Sequence, residues 1–327
     1  MKKIVCAFFI LSQSLEGFAD DVKTPEQSPQ ELAHKIISEV QNKQDYLVNP
    51  SLTASISVLE KGTTQFPNDP QIYFALAECY TLQHNNPATL INIEKAYSLS
   101  LKNVHIGETY IDALVTNKQP LKAVETSKEL LAMYPSDFAL QQETAALEVF
   151  IQKYDDASAI LEPLAQIPPW SLPDGDNETV LLNLGVCYLY EGHYSQAVDT
   201  FESLNKRYPP SVAVLTYLGE TYIKSNNFEK GVSCIDQALS IAPDCPPTLF
   251  YKGVCLEKSG DLKAAQKSFE KAYALLKEFT DKNCHAGGSY YLLFQISQKL
   301  SKNDEASKYK AEAAQLLFTY EAPWKQK

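Results

Sequence analysis

Apolar and small residues recur along this chain at spacings of three and four, in pairs of segments separated by short polar turns. In one such pair the first segment carries Leu181, Leu184, Gly185 and Tyr188, and the second carries Ala197, Phe201 and Leu204. This spacing places the apolar residues on one face of an amphipathic helix. The residues between the segments, Glu191 to His193, are typical of a turn. The pattern predicts helical hairpins.

The hairpin pattern repeats every 34 residues, most clearly in units that begin at Glu178, Val212 and Pro246. We number repeat positions from the first residue of each unit. Corresponding positions hold similar residues: position 8 is Gly185, Gly219 and Gly253, position 11 is Tyr188, Tyr222 and Leu256, position 20 is Ala197, Gly231 and Ala265, and position 24 is Phe201, Ile235 and Phe269. A fixed period of this length indicates a stack of similar helical units.

Small residues at positions 8 and 20 predict that the two helices of a unit approach closely, with larger residues filling the space beside them. Positions 4, 7, 8 and 11 form the packed face of the first helix, with Lys252 as the one departure at position 7. Positions 20, 24 and 27 form the packed face of the second helix. Pro209 and Pro243 close the first two units.

These units resemble the tetratricopeptide repeat family. Leu184-Gly185 with Tyr188 and Leu218-Gly219 with Tyr222 reproduce its L-G-x2-Y motif, and Ala197 with Phe201 and Ala265 with Phe269 reproduce its A-x3-F motif. The tryptophan usual in the family is replaced by leucine. The resemblance implies an all-α fold, a right-handed α-solenoid of stacked helix-turn-helix repeats, whose first helices line a concave surface where partners bind.

Weaker copies extend the array in both directions. The predicted units are 36–69, 70–103, 104–137, 138–169, 178–211, 212–245 and 246–279, with a C-terminal capping helix pair at 287–320. Insertions at 170–177 and 280–286 interrupt the register. Residues 20–35 are expected to form a leader and the start of an N-terminal helix, with Ser28 and Glu31 as a capping box.

The family resemblance implies that positions 2, 5, 6, 9, 12 and 13 of the first helices point into the groove. In the middle of the array these positions are unusually apolar, with Glu220, Lys224, Glu257 and Lys258 as the main charged exceptions. The predicted partner-binding residues are Phe150, Leu182, Val186, Leu189, Tyr190, Tyr217, Ile223, Phe250, Tyr251 and Val254, with Val149 and Tyr291 beside them. A strip of this length is expected to be covered, either by a peptide or by neighbouring parts of the chain.

Charge and composition narrow the partner class. The net charge is -11, and Arg207 is the single arginine of the 327-residue chain, so a nucleic-acid partner is not expected. The 12 glycines form no phosphate-binding loop. The clamp with which some family members hold a C-terminal carboxylate needs a set of lysines, an arginine and asparagines, and Asn183 and Lys224 are isolated from such a set. A polypeptide partner is therefore expected.

The N-terminus has the pattern of a secretory signal peptide. Met1 to Lys3 is basic, Ile4 to Leu11 is apolar, and Gly17-Phe18-Ala19 supplies small residues before a cut after Ala19. The apolar run is too short to span a bilayer. We expect residues 1–19 to be removed and the mature chain to lie in the periplasm or outside the cell. The alternative is an apolar helix retained by a cytoplasmic protein.

Catalytic and metal-binding patterns are not found. No two of the five histidines are three or four residues apart, and no cysteines have the spacing of a zinc site. Cys284-His285 is the one adjacent pair, but neighbouring side chains seldom face each other. Cys79, Cys187 and Cys255 all occupy position 10, which indicates buried packing residues. Six cysteines in an exported chain permit disulfides without fixing a pattern.

We therefore expect no enzyme activity and no cofactor. The favoured interpretation is a scaffold or adaptor of the bacterial envelope that holds an apolar peptide or partner segment in its groove. A cytosolic chaperone for secreted substrates is the alternative, and an enzyme that uses the solenoid as a scaffold is third. A fold resemblance alone does not transfer a function.

Overall fold

The computed structural model describes residues 28–41, 52–168, 171, 177–283 and 287–315, which contain sixteen α-helices. The predicted signal peptide, the predicted leader up to Gln27, Cys284-His285 and the end of the chain lie outside the described residues. In the described part of the chain, no helix combines the length and apolar character needed to cross a bilayer.

The chain separates into two compact units, 1–140 and 141–327. The described helices of unit 1 are α1 (Pro29–Gln41), α2 (Leu52–Gln65), α3 (Pro70–Leu82), α4 (Asn86–Leu99), α5 (Val104–Thr116) and α6 (Pro120–Met133). The boundary falls inside α7 (Phe138–Phe150). Unit 2 continues with α8 (Tyr154–Ala165), α9 (Glu178–Glu191), α10 (Tyr194–Arg207), α11 (Val212–Lys224), α12 (Phe228–Ile241), α13 (Pro246–Lys258), α14 (Leu262–Asn283), α15 (Gly287–Lys299) and α16 (Asn303–Gln315).

Side-chain caps fix the starts of several helices. The predicted capping box is confirmed: the Glu31 amide donates to Ser28 Oγ at 3.2 Å, and the Ser28 amide donates to Glu31 Oε2 at 3.0 Å. Asp69 accepts from the Gln71 amide at the start of α3. Proline follows the cap in α3, where its missing amide hydrogen would have had no partner in the helix.

From α3 onward, each hairpin turns in the same way. The residue at repeat position 15 has a positive φ in all seven hairpins of the described residues, namely His84, Lys118, Gln152, Gly192, Asn226, Gly260 and Ser301. The next amide then donates to the carbonyl of position 11, as from His193 to Tyr188 and from Asn227 to Tyr222. This Schellman arrangement ends the first helix and aims the chain into the second.

Close approach within a hairpin depends on the position 8 glycines. A Cβ added to Gly219 would lie 2.7 Å from Ile235 Cδ1 and 3.3 Å from the Gly231 carbonyl oxygen, so positions 8 and 20 meet as predicted. At Gly185 the added atom would instead meet the ring of Phe201, at 2.5 Å from Cε1. The ring at position 24 thus covers the glycine and fills the space that a larger side chain at position 8 would need.

Successive repeats in each unit are joined by polar contacts that reach back to the preceding second helix. The Tyr80 hydroxyl donates to Glu60 at 2.7 Å, and the Tyr188 hydroxyl donates to Glu162 at 3.0 Å. Tyr222 makes the same bond to Glu202. Lys252, the apparent departure from the packing pattern, pairs with Asp236 of α12 at 2.6 Å. The lysine therefore belongs to the contact between repeats, with its charge directed to the surface.

The first helix starts where the sequence predicted, whereas one expected insertion is partly helical. The first helix begins at Pro29, directly after the capping residue Ser28. Helix α14 continues to Asn283, so part of the insertion expected at 280–286 extends a helix. Thr280 is buried there and its hydroxyl donates to the Leu276 carbonyl at 3.0 Å, which favours continued helix over a loop.

Candidate functional site

The first helices of unit 2 form a continuous surface. Successive first helices α9, α11 and α13 contact one another directly, and these contacts are more extensive than those between successive second helices in the described part of the unit. A stack in which one row of helices is closer together is shorter on that side. We call the surface formed by α9, α11, α13 and α15 the first-helix face.

Five tyrosines on and beside the first-helix face are close enough to influence one another electrostatically: Tyr154, Tyr190, Tyr217, Tyr251 and Tyr291. We call them the tyrosine cluster. The ring of Tyr154, from the start of α8, stacks on Tyr190 with centroids 5.0 Å apart. Each of the five is half-buried, so part of each side chain remains accessible to a partner.

Two rings of the cluster are fixed by contacts with the core. Tyr217 stacks on Phe201 at 5.8 Å, and Tyr251 meets Phe250 edge-on at 5.2 Å. Because Phe201 and Phe250 are buried, they hold these two tyrosine rings against the interior of the repeats. The accessible part of the cluster is therefore a preorganised surface, which lowers the entropic cost of binding.

A carboxylate lies within the tyrosine cluster. Glu220 of α11 has only 2% of its side chain exposed and forms an ion pair with Lys224, with 3.0 Å between Oε1 and Nζ. The same ammonium group lies 4.6 Å from the ring centroid of Tyr190. A buried carboxylate is stable only when it is paired and hydrogen-bonded. Lys224 supplies the paired charge.

The tyrosine hydroxyls are shifted away from ionisation. Burial raises the pKa of Tyr217 to about 12, with a smaller contribution from the negative charge of Glu220. The same causes hold the pKa of Tyr190 and Tyr251 well above the usual range, and a hydrogen bond to Glu220 adds to the shift at Tyr251. Burial likewise raises the pKa of Tyr154. These phenols remain neutral at physiological pH.

The ten predicted partner-binding residues fall into different environments. Tyr190, Tyr217 and Tyr251 lie in the cluster. Four predicted residues are core residues, with no surface to offer a partner: Val186, Leu189, Ile223 and Phe250. Leu182 and Val254 are half-buried, while Phe150 of α7 is 38% exposed. The prediction that these residues bind a partner stays a prediction, and the accessible surface is narrower than the sequence pattern indicates.

Three residues of this surface could not be recognised from the sequence pattern. Tyr154 begins a second helix, so its position gave no indication that it would reach a first helix. Glu220 stood out only as a charged exception, and Tyr291 only as a neighbour. An aromatic residue at position 17 followed by one at position 13 of the next repeat, as in Tyr154 and Tyr190, is the signal that could have identified the pair.

Three of the described thiols are packing residues. Cys79, Cys187 and Cys255 are buried and unbridged, as position 10 predicted, and Cys234 and Cys245 are also free. Burial raises the pKa of Cys79 and Cys187 to about 12 and that of Cys255 to about 11, so none of the three is a nucleophile at neutral pH. Within the described ranges, no group of histidine, cysteine and carboxylate side chains could hold a metal ion.

The second helices of unit 2 border a separate open cavity of about 390 Å³ between α10 and α12. Two of its polar groups are engaged with each other's repeats: the Tyr222 hydroxyl donates to Glu202, and Lys230 lies 5.1 Å from the centroid of the Tyr222 ring. These contacts join neighbouring repeats. The tyrosine cluster is therefore the stronger candidate for a site.

Comparison with known proteins identifies the repeats. Residues 188–250 match one tetratricopeptide repeat model and residues 247–275 match another. A crystal structure of a tetratricopeptide repeat protein from Parabacteroides merdae superimposes with a TM-score of 0.61, at 17% identity, over 83% of this chain and 99% of that one. The chain thus contains tetratricopeptide repeats and has the all-α solenoid fold that the motifs predicted.

Two curated proteins are similar in sequence. The TPR repeat-containing protein YpiA of Bacillus subtilis is 27% identical over 240 residues, which are 66% of this chain and 53% of YpiA. The anaphase-promoting complex subunit CDC16 of Saccharomyces cerevisiae is 22% identical over 273 residues, which are 82% of this chain and 31% of that subunit. The chain thus spans about half of one relative and about a third of the other.

Proposed function

We propose that this protein is a non-enzymatic interaction scaffold that binds a polypeptide segment on the first-helix face of unit 2. The observation that carries the proposal is the tyrosine cluster, whose rings are held by the core yet remain partly accessible. Tetratricopeptide repeats support the scaffold class, and one relative is by name a subunit of a multiprotein complex.

Aromatic surface of this kind suits an extended or helical peptide. Tyrosine rings bury apolar area while their hydroxyls meet backbone or side-chain polar groups of the partner. Burying about 300 Å² of apolar surface contributes several kcal/mol before association costs, at about 25 cal/mol per Å². Because a micromolar contact needs about 8 kcal/mol net, apolar burial of this size gives a weaker contact unless polar contacts add to it. Such a contact suits an adaptor that captures and releases its partner.

The proposed location is the bacterial envelope, on the basis of the N-terminal pattern in the sequence. The intact mass of the protein purified from its source cells tests this. A chain that begins at Asp20 supports export, while a chain that retains residues 1–19 would favour the cytosolic chaperone.

In-cell photo-crosslinking tests the binding function. A photoreactive residue replaces Lys258, which is exposed at the end of α13, and a control replaces Gln237, which is exposed on the second helix α12. We expect one recurring protein to be captured from position 258 and not from 237. The Tyr251→Ala change in the first variant should remove that product while circular dichroism shows the helices intact. Intramolecular products alone would show that the chain fills its own groove and would overturn the proposal.

A further inference from the structure

The charges on the first-helix face are arranged asymmetrically. The carboxylate of Glu220 is buried in the middle of α11, among the tyrosines, whereas Lys224 and Lys258 lie in the last turns of their helices. Lysines at a helix C-terminus interact favourably with the helix dipole, which accounts for their position without a ligand. Lys299 of α15 pairs with Glu257. Glu220 and Lys224 are an i,i+4 pair, which stabilises a helix at its surface, and that role does not require the carboxylate to be buried.

Lys224 marks a place where a cation is stabilised. Its ammonium group is 3.0 Å from Glu220 Oε1 and 4.6 Å from the centroid of Tyr190, so one charge receives both an ion pair and a cation–π contact. The lysine side chain is 26% exposed, so this place can be reached from solvent. A cationic group from solvent can therefore reach Glu220 and Tyr190 by taking the place of the Lys224 side chain.

The surroundings disfavour an anion at the same place. The neutral phenols offer no positive charge, and the charge of Lys224 is matched by Glu220. A carboxylate brought to this place would meet a second buried carboxylate, and like charges in a poorly hydrated site repel strongly. A basic group meets a negative charge, aromatic faces and phenol oxygens that accept hydrogen bonds.

We propose that the polypeptide bound by this face carries a basic side chain, with arginine preferred, which displaces Lys224 from Glu220 and Tyr190, flanked by apolar residues on the other tyrosines. The inference rests on the proposed function and assigns the chemistry of the ligand. Glu220 binds the cation, Tyr190 stacks on it, and Lys224 competes with the ligand until it binds.

Arginine is preferred because the exchange replaces one cation by another. A lysine ligand would reproduce the contacts that Lys224 already makes. A guanidinium group can instead form two parallel hydrogen bonds to the carboxylate and lie flat against the tyrosine ring. The displaced Lys224 side chain regains water and rotational freedom. Selectivity therefore comes from the planar geometry as well as from the charge.

Selection of phage-displayed random dodecapeptides on the full chain tests the inference. The selection is run on the natural protein, on Glu220→Gln, and on Glu257→Gln as the matched control. Both variants remove one negative charge from the same face, so nonspecific attraction of basic peptides to this acidic protein changes equally. We expect arginine flanked by apolar residues to be enriched on the natural protein and on Glu257→Gln, and the arginine preference to be lost on Glu220→Gln.

One selected peptide is then compared with its citrulline analogue, which has the shape of arginine without the charge. We expect the analogue to bind the natural protein and Glu257→Gln about ten- to a hundredfold more weakly, and Glu220→Gln about equally well. Thermal melting of Glu220→Gln checks that the repeats remain folded. Because glutamine keeps the shape of the side chain and Lys224 can reach solvent, we expect a folded protein.

The outcomes separate the inference from the function on which it rests. Enrichment of apolar or acidic peptides without arginine overturns the inference and leaves a peptide-binding face. Arginine enrichment that persists on Glu220→Gln also overturns it, because the carboxylate is then not the recognition element. If no peptide is enriched on the natural protein above the bare support, the proposed function fails together with the inference.

Discussion

At the scale of single residues, tyrosine has two distinct uses in this protein. At position 11, Tyr188 and Tyr222 donate to glutamates of the preceding second helix and so join one repeat to the next. At positions 6 and 13, Tyr190, Tyr217 and Tyr251 lie near one carboxylate and keep part of their rings accessible. Repeat position, rather than residue type, thus separates the tyrosines that hold the stack from those that offer a surface.

A second carboxylate, Glu78, lies on a first helix and is destabilised in its charged form by burial. Burial raises the pKa of Glu78 in α3 to about 7. Between about pH 4.5 and pH 7 the folded state therefore holds a proton that the unfolded state has lost, so stability falls as the pH rises. We expect a loss of at most about 3 kcal/mol across this range. Differential scanning calorimetry of the natural chain at pH 5 and pH 7 measures it.

Glu78→Gln should remove this part of the pH dependence, because glutamine does not ionise. The variant is expected to gain stability over the natural chain at pH 7 and little at pH 5. Glu125→Gln, an exposed change of the same charge in α6, is the control and should leave the pH dependence unaltered. Equal shifts of the melting temperature at both pH values in Glu78→Gln would show that the carboxylate is solvated after all.

At the scale of elements, the hairpin turn is the most regular feature of the fold. The residue at position 15 is left-handed in every described hairpin, yet it is glycine only at Gly192 and Gly260. A side chain in this conformation costs about 1 kcal/mol or more. The turn is therefore set by the packing of the two helices and by the carbonyl–amide bond that follows it.

The reciprocal changes Gln152→Gly and Gly192→Gln test how much the turn residue contributes. The first relieves a φ of 64° and should stabilise the protein by about 0.5–1 kcal/mol, after the greater freedom of glycine in the unfolded chain is subtracted. The second should destabilise it by a similar amount. A Cβ at Gly192 would meet nothing within 4 Å, so its effect is one of the backbone alone. Urea unfolding followed by circular dichroism measures both, and a loss in Gln152→Gly would contradict this account.

The hairpins could be predicted well because the packing of stacked repeats imposes a regular period on the sequence. Gly185, Gly219 and Gly253 recur where a Cβ would collide with the side chain at position 24. The recurrence of glycine at this position can be read from the sequence alone. The candidate site was less predictable. Val186 and Ile223 occupy positions assigned to the groove, but neighbouring helices cover them, and residue type cannot reveal that cover. Tyr154 joins the site from a second helix, and Glu220 becomes central only through its burial beside Lys224.

At the scale of the whole molecule, the chain forms two compact units, and its contacts are mainly between neighbouring helices. In such a stack, stability is close to a sum over repeats and over the interfaces between adjacent repeats. A defect is therefore expected to spread to its neighbours and to fade with distance along the stack. The proposed ligand site draws on five helices of successive hairpins, α8, α9, α11, α13 and α15, so it depends on several interfaces at once.

Gly219→Leu places a defect inside that site. The new side chain would collide with Ile235 and with the Gly231 backbone, which should separate α11 from α12 at a cost of about 3 kcal/mol or more. Hydrogen exchange followed by mass spectrometry should then show faster exchange in α9 to α14, while α3 and α4 of unit 1 keep their protection. Because Tyr217, Glu220 and Lys224 all lie on α11, the selectivity for arginine peptides should be lost when α11 loses its protection from exchange. Faster exchange throughout both units would instead show that the chain unfolds as one cooperative block, and the stability of the site would then depend on every repeat.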